Sequence, residues 1–146
     1  MKNFRYGLGL LMLFGAITAA SAQDVKSQHV KKSHKVIMQV TEGDSLTQLA
    51  VIGQVRNIKK QLPDAQIEVV CHANSLDMLL RSGSKVASHI AELKPMGVNF
   101  MACENTMARK KATAADLVPG AGTVPSGLVE IILKQEEGWS YIKGGH

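Results

Sequence analysis

Several patterns by which enzymes and binding proteins are recognised are missing from this 146-residue sequence. It has two cysteines, Cys71 and Cys103, and no C-x-x-C or H-x₃-H spacing, so the signal for a metal site is weak. It has no phosphate-binding glycine loop, no dinucleotide fingerprint and no local signature of a Ser-His-Asp triad. Beyond residue 22, no stretch is long and apolar enough for a membrane span. We therefore expect no cofactor, no bound metal and no membrane span in the processed protein.

The first residues have the three parts of an export signal. Lys2 and Arg5 form a basic start, and residues 7–19 form an apolar run too short to span a bilayer as a helix. Ala20-Ser21-Ala22 then matches an A-x-A cleavage site. We therefore expect a cleavable signal peptide over residues 1–22 and a periplasmic protein.

Positive charge is concentrated directly after this leader. The formal net charge is +5, and segment 23–33 (QDVKSQHVKKS) carries Lys26, Lys31 and Lys32 with little apolar periodicity. Such a segment is typical of a flexible, solvated arm. Because export argues against nucleic acid as a partner, we interpret the arm as a tether. The remaining residues, 34–143, suit a single domain.

The body of the chain alternates between strand and helix patterns. This alternation predicts βαβ crossovers and an α/β fold: a three-layer α/β/α sandwich with a mainly parallel sheet of about five strands. Asp44 or Ser45 is the expected cap of the first helix. Strands are predicted at 34–40, 67–72, 98–103, 123–125 and 139–142, and helices at 46–62, 75–80, 85–93, 106–115 and 127–137.

Candidate site residues follow two of the predicted strands. Cys71 and His72 end the second strand, and Cys103 ends the third. In open parallel sheets, ligands bind beyond the carboxyl ends of the strands. Position alone therefore makes these three residues candidates for a functional site.

Several segments together resemble the DsrE/DsrF-like family of small sulfur-relay proteins. The two most specific are A-C-x-N-T-M, which begins at Ala102, and V-P-S-G-L-V-E-I-I-x-x-Q-E-x-G-W-x-Y-I, which begins at Val124. The resemblance covers nearly all of the chain after the leader. The matching segments are 34–44, 56–62, 67–80, 97–107 and 117–142.

This resemblance implies a fold, an assembly and a chemistry. It implies a parallel α/β sandwich that forms trimers or hexamers, and a cysteine that carries sulfane sulfur as a persulfide. That cysteine corresponds to Cys103, and Asn105 and Thr106 match the turn after it. A sulfur donor or acceptor protein would be its partner. One departure is plain: where many relatives have a loop of the form H-G-x-G, this chain has H-A-N-S over residues 72–75, and alanine lacks the freedom of glycine at positive φ.

Cys103 must ionise if it is to accept sulfur, because the thiolate is the nucleophile. A helix beginning at about Thr106 would place backbone N–H groups near the sulfur, with Asn105 and Thr106 as caps. Glu104 would oppose ionisation. The alternative is a buried structural cysteine, because cysteine packs as a small apolar residue.

Cys71 and His72 leave several roles open. If the second and third strands are neighbours, Cys71 could form a disulfide with Cys103, as a redox pair or as a structural crosslink, provided that the side-chain directions agree. His72 could orient a ligand, act as a base for a thiol, bind metal, or be a strand-end histidine bonded to a loop.

The sequence and the resemblance together favour a periplasmic sulfur carrier or sulfurtransferase-like protein with Cys103 as the acceptor. One alternative is a non-catalytic oligomeric binding module with structural cysteines. Another is a thiol–disulfide redox protein that uses Cys71 and Cys103. Whether the protein is an enzyme stays open at this point.

Overall fold

A five-stranded sheet organises the part of the chain that the structure, a computed structural model, describes, residues 33–146. The predicted signal peptide (1–22) and all but the last residue of the predicted arm lie outside the described residues. The strands are β1 (Lys35–Val40), β2 (Gln66–Cys71), β3 (Val98–Cys103), β4 (Ala121–Val124) and β5 (Ser140–Lys143). The helices are α1 (Ser45–Gln61), α2 (Ala87–Leu93), α3 (Glu104–Lys110) and α4 (Gly127–Glu136), with 3₁₀ turns at Ala73–Met78, Lys94–Met96 and Ala114–Asp116.

Every neighbouring pair of strands in this sheet runs parallel, in the order β4-β3-β2-β1-β5. This confirms the predicted α/β class. In the register of the sheet, Cys71 pairs with both Val40 and Ala102, and Cys103 pairs with Val124. The carboxyl ends of four strands therefore meet at one edge, where sites form in such sheets.

The start of α1 shows how local chemistry sets an element. Asp44, one of the two expected caps, accepts hydrogen bonds through Oδ1 from the N–H groups of Leu46 and Thr47, each at 3.0 Å. Such a cap contributes about 1 kcal/mol. The apolar stripe of α1 then packs on the sheet through Val51, Ile52 and Val55, which are all buried.

The two faces of the sheet have cores of very different size. One face packs against α1, α2 and the turns in a large cluster that includes Phe100 and Met38. On the other face, within residues 33–146, Ile131 of α4 is the only helical residue in a cluster of four buried side chains. The three predicted layers are therefore present, but one of the outer layers is a single helix.

Two helix predictions are wrong. Helix α3 begins at Glu104, directly after Cys103, and not at Thr106. The segment predicted as a helix from Ser75 to Leu80 is instead the 3₁₀ turn Ala73–Met78. Both segments are short, so tertiary contacts outweigh their intrinsic propensity. Among residues 33–146, no helix has the combination of length and apolarity required to cross a membrane.

Candidate functional site

A cavity of about 410 Å³ opens at the carboxyl edge of the sheet. It contains four of the five predicted site residues, and the fifth, Cys71, does not line it. Arg109, Ser126 and Leu128 also line the cavity and were not predicted. The full lining is His72, Cys103, Asn105, Thr106, Arg109, Ser126 and Leu128.

Cys103 lies where two helices begin. It is the N-cap residue of α3, and its Sγ accepts a hydrogen bond of 3.2 Å from the N–H of Gly127, the first residue of α4. A Cβ atom at Gly127 would lie 3.0 Å from Val70 Cγ1 and 3.3 Å from Cys103 Cβ. Because glycine has no side chain, the start of α4 can approach Cys103 closely. Sequence reasoning identified Gly127 only as a helix start, although its place in the V-P-S-G motif was a usable signal.

The surroundings of Cys103 favour its thiolate. Burial raises the pKa of the thiol, but the N–H of Gly127, the hydroxyl of Thr106 and the N–H groups of Thr106 and Asn105 together lower that pKa below its ordinary value. The bond from Gly127 has normal hydrogen-bond geometry, whereas the groups of α3 act on the sulfur without forming a capping bond. Asn105 and Thr106 thus lie in the first turn of α3, so the prediction that they cap this helix is wrong.

Thr106 links the sulfur to the rest of the cavity. Its buried Oγ1 accepts hydrogen bonds from the N–H of Ala73 and from the Arg109 guanidinium, both at 3.3 Å. Because a hydroxyl has two acceptor sites and one proton, these bonds leave the proton of Thr106 available to the sulfur. Glu104, which was expected to oppose ionisation, accepts a 2.7 Å hydrogen bond from the Thr123 hydroxyl.

The loop after β2 contains an alanine in a backbone conformation that glycine usually adopts. Ala73 has φ of 56°, in the left-handed region, and its N–H bonds to Thr106. Ala73 therefore holds a left-handed conformation that glycine adopts more readily than alanine. A non-glycine residue held in this region is strained by about 1–2 kcal/mol.

Cys71 lies on the other face of the sheet. It pairs in register with Ala102 rather than Cys103, and it belongs to the large core. Burial raises its pKa to about 12, against a smaller lowering by the Ser75 hydroxyl. Both thiols are free. The alternative in which Cys71 and Cys103 form a disulfide is contradicted, because adjacent positions along a strand point to opposite faces.

His72 is partly buried and hydrogen-bonds through Nε2 to Gln39 Nε2 at 2.8 Å. Burial, together with the positive charge of Arg109, lowers its pKa, so the ring is neutral near pH 7. Within residues 33–146, no three histidine, cysteine or carboxylate side chains are grouped so as to hold a metal ion.

A second cavity, of about 340 Å³, lies at the opposite edge of the sheet, near the start of β1. Its lining includes Ser33, His34 and Lys35 with apolar side chains such as Ile58, but no thiol and no carboxylate. Unlike the Cys103 cavity, this cavity therefore offers no thiol.

Comparisons with known proteins agree with this architecture. A solved structure described as the protein of unknown function MTH1491, from Methanobacterium thermoautotrophicum, is 34% identical, with a TM-score of 0.72 over 76% of this chain and 99% of that one. The YchN protein from E. coli is 13% identical, with a TM-score of 0.61 over 76% of this chain and 98% of that one, which is a likeness of fold. No curated protein sequence matches the chain.

The family comparison covers most of the sequence. The model of the DsrE/DsrF-like family matches residues 14–143, which include every element from β1 to β5. This confirms the resemblance seen in the two sequence motifs. The chain belongs to the DsrE/DsrF-like family.

Proposed function

We propose that this protein is a sulfur carrier or sulfurtransferase-like protein whose Cys103 accepts sulfane sulfur as a persulfide. The observation that carries the proposal is the setting of Cys103 Sγ, which lines a cavity and accepts a 3.2 Å hydrogen bond from Gly127 at the start of α4. Backbone N–H groups at helix starts lower thiol pKa values and so activate cysteine. Membership of a family of the sulfur-relay type supports the same chemistry.

The transfer step needs only a persulfide or polysulfide donor. The Cys103 thiolate attacks the outer sulfur of a donor R–S–S–H, so a bond forms between Sγ and that sulfur and the S–S bond of the donor breaks. The electron pair of the broken bond leaves with R–S⁻. Cys103 then carries S–S–H, and the negative charge has moved from Sγ to the departing thiolate. The step involves no net oxidation, so neither a cofactor nor a second cysteine is required.

The charge of the cavity suits such anions. Arg109 lines it, and no carboxylate is among its lining residues. A cationic cavity raises the local concentration of anionic ligands and stabilises negative charge on a departing group. Arg109 also donates to Thr106, which connects its charge to the hydroxyl beside Cys103.

The test is intact-mass analysis of the protein before and after treatment with polysulfide, with and without reductant. We expect added sulfur that reductant removes, lost in Cys103→Ser and kept in Cys71→Ser, the matched control. Equal loading in Cys103→Ser, or no loading of the wild type, would overturn the proposal and leave a binding module with structural cysteines.

We also propose that the protein is periplasmic and forms a trimer or hexamer. The export signal supports the location, and the outer side of α4 supports the assembly, because Leu128, Val129, Ile132 and Leu133 are all exposed there. A periplasmic fraction should contain a chain beginning after Ala22. A cytoplasmic chain that retains residues 1–22 would contradict this location.

A further inference from the structure

Three polar side chains form a hydrogen-bonded row that ends at the Cys103 cavity. Tyr141 is on β5, Gln39 is on the adjacent β1, and His72 follows β2 on the other side of β1. The Tyr141 hydroxyl donates to Gln39 Oε1 at 2.5 Å, and Gln39 Nε2 lies 2.8 Å from His72 Nε2. Of the three, His72 lines the cavity. Tyr141 and Gln39 are therefore connected to the cavity through His72.

The donors and acceptors in this row assign the histidine tautomer. A phenol donates its proton, and an amide accepts only through oxygen and donates only through nitrogen. With Tyr141 bonded to Gln39 Oε1, the amide nitrogen faces His72, so His72 Nε2 is the acceptor and carries no proton. The ring proton of neutral His72 is then on Nδ1.

This tautomer leaves His72 without a free lone pair. Nε2 receives the amide proton of Gln39 and Nδ1 holds the ring proton, so neither nitrogen can take a proton from Cys103 or bind a metal ion. Burial and Arg109 both lower the pKa of His72, which agrees with a neutral ring. Gly127 and Thr106 also lower the pKa of Cys103 and so favour its thiolate.

We propose that Gln39 and Tyr141 are positioning residues that hold His72 as the Nδ1–H tautomer, and that His72 is thereby a hydrogen-bond donor to the anionic sulfur of the substrate. The proposal rests on the proposed persulfide transfer. In that step the negative charge moves from Cys103 Sγ to the departing thiolate. His72 donates a hydrogen bond to this charge and keeps its proton, so no further proton acceptor is involved.

Ring ¹⁵N–¹H NMR of the ¹⁵N-histidine-labelled protein tests the tautomer directly. The His72 signals are assigned by their loss in His72→Asn. At pH 7 we expect a protonated Nδ1 and an unprotonated Nε2. Gln39→Glu, whose carboxylate only accepts, should place a proton on Nε2, and Gln135→Glu on α4 is the matched control that should change nothing. An Nε2–H tautomer or an imidazolium in the wild type would overturn the inference.

The rate of sulfur uptake from polysulfide shows whether His72 acts as a hydrogen-bond donor or as a base. The amide nitrogen of an asparagine takes the place of Nδ1, so His72→Asn should keep the rate within about threefold, whereas His72→Leu should lose about tenfold, the worth of a hydrogen bond to a charged group. Equal loss in both variants would overturn the donor role. Circular dichroism of each variant confirms folding.

The two proposals fail in different ways. A wild-type protein that takes up no sulfur at Cys103 overturns the persulfide function and the donor role with it. Normal uptake combined with an Nε2–H tautomer overturns this inference alone. The positioning role would also be overturned if sulfur uptake is normal and the His72 spectrum stays unchanged in both Tyr141→Phe and Gln39→Glu.

Discussion

Two cysteines of this chain, at the ends of adjacent strands, have opposite chemical settings. Cys71 is fully buried and burial raises its pKa to about 12, whereas the pKa of Cys103 is lowered in spite of burial because the N–H of Gly127 and the polar groups of Thr106 favour its thiolate. One residue of offset in the register produces this difference, since it turns the two side chains to opposite faces of the sheet. A thiol-specific reagent at neutral pH should therefore modify Cys103 and leave Cys71 unmodified.

Ala73 has a strained backbone conformation and contacts the candidate site through Thr106. Its φ of 56° costs an alanine about 1–2 kcal/mol, while glycine loses about 0.5–1 kcal/mol of conformational entropy on folding. Ala73→Gly should thus raise the free energy of unfolding by about 0.5 to 1 kcal/mol in urea denaturation. The matched control is Ala108→Gly in α3, which should lower stability by a similar amount. A loss of stability in Ala73→Gly would show that the loop is not strained.

At the scale of elements, the start of α4 holds the donor to Cys103. A Cβ at position 127 would lie 3.0 Å from Val70 Cγ1 and 3.4 Å from the Cβ of His72, so in Gly127→Ala the start of α4 and these side chains should move apart by a few tenths of an ångström. The hydrogen bond to Sγ should lengthen and the pKa of Cys103 should rise. We expect alkylation by iodoacetamide at pH 7 to slow by up to about tenfold.

The control for this variant is Gly53→Ala, because a Cβ at Gly53 meets no atom within 4 Å. In the interior of α1, this change should add about 1 kcal/mol of stability and leave alkylation unaltered. The pH dependence of alkylation gives the pKa of Cys103 in each variant. An unchanged pKa in Gly127→Ala would mean that the bond from α4 does not set the reactivity of the thiol.

The other end of α4 covers a buried acid. Glu68 on β2 is 7% exposed, and its Oε1 has no hydrogen-bond partner in the described part of the chain. The pKa of Glu68 is raised to about 7, first by burial and then by the neighbouring Glu130, against an opposing effect of Lys134. Glu137 also acts to raise it. The folded protein therefore holds a proton at Glu68 more tightly than the unfolded chain does.

This proton makes stability depend on pH in a defined direction. The folded-state pKa of Glu68 is about 7 and the ordinary value is 4.5, so its contribution is fully present below about pH 4.5 and is lost as pH rises through 7. Glu68→Gln should be more stable than the wild type at pH 8 by on the order of 1–3 kcal/mol, and equal to it at about pH 4.

Urea denaturation at each pH measures this difference. Glu136→Gln, on the exposed side of α4, is the matched control and should follow the wild type at every pH. If Glu68→Gln loses stability between pH 5 and pH 8 as steeply as the wild type, Glu68 is not the group that titrates.

Sequence patterns predicted the elements better than their contacts. Local periodicity and capping chemistry were enough to predict the succession of strands along the chain, the cap at Asp44 and the position of Cys103 at the end of a strand. The bonds from Gly127 to Cys103 and from Gln39 to His72 do not follow from such patterns. Helix α3 and strand β4 separate the first pair along the chain, and helix α1 and strand β2 separate the second. Such pairings depend on the order of strands in the sheet, which local patterns do not encode.

At the scale of the whole molecule, the two faces of the sheet are unequal. One face lies under a large core, whereas α4, on the other, is exposed on its outer side at four apolar positions between Leu128 and Leu133. Exposed apolar patches are common at interaction surfaces, which supports the proposal that copies of the chain associate through α4. Leu128 also lines the Cys103 cavity, so a second copy on α4 would lie beside the site.

Assembly through α4 can be tested by placing a single charge on its exposed apolar side. Ile132 is 53% exposed, and burying a lysine at its position in an interface would desolvate an unpaired charge. In sedimentation velocity, the wild type should be an oligomer at micromolar concentration, and Ile132→Lys should weaken its association by about tenfold or more. Met96→Lys, at a 47% exposed position on the turn Lys94–Met96, adds the same charge elsewhere and should leave the mass unchanged. A monomeric wild type, or an Ile132→Lys variant of unchanged mass, would refute assembly through α4, because a buried lysine cannot be neutral to a stable interface there.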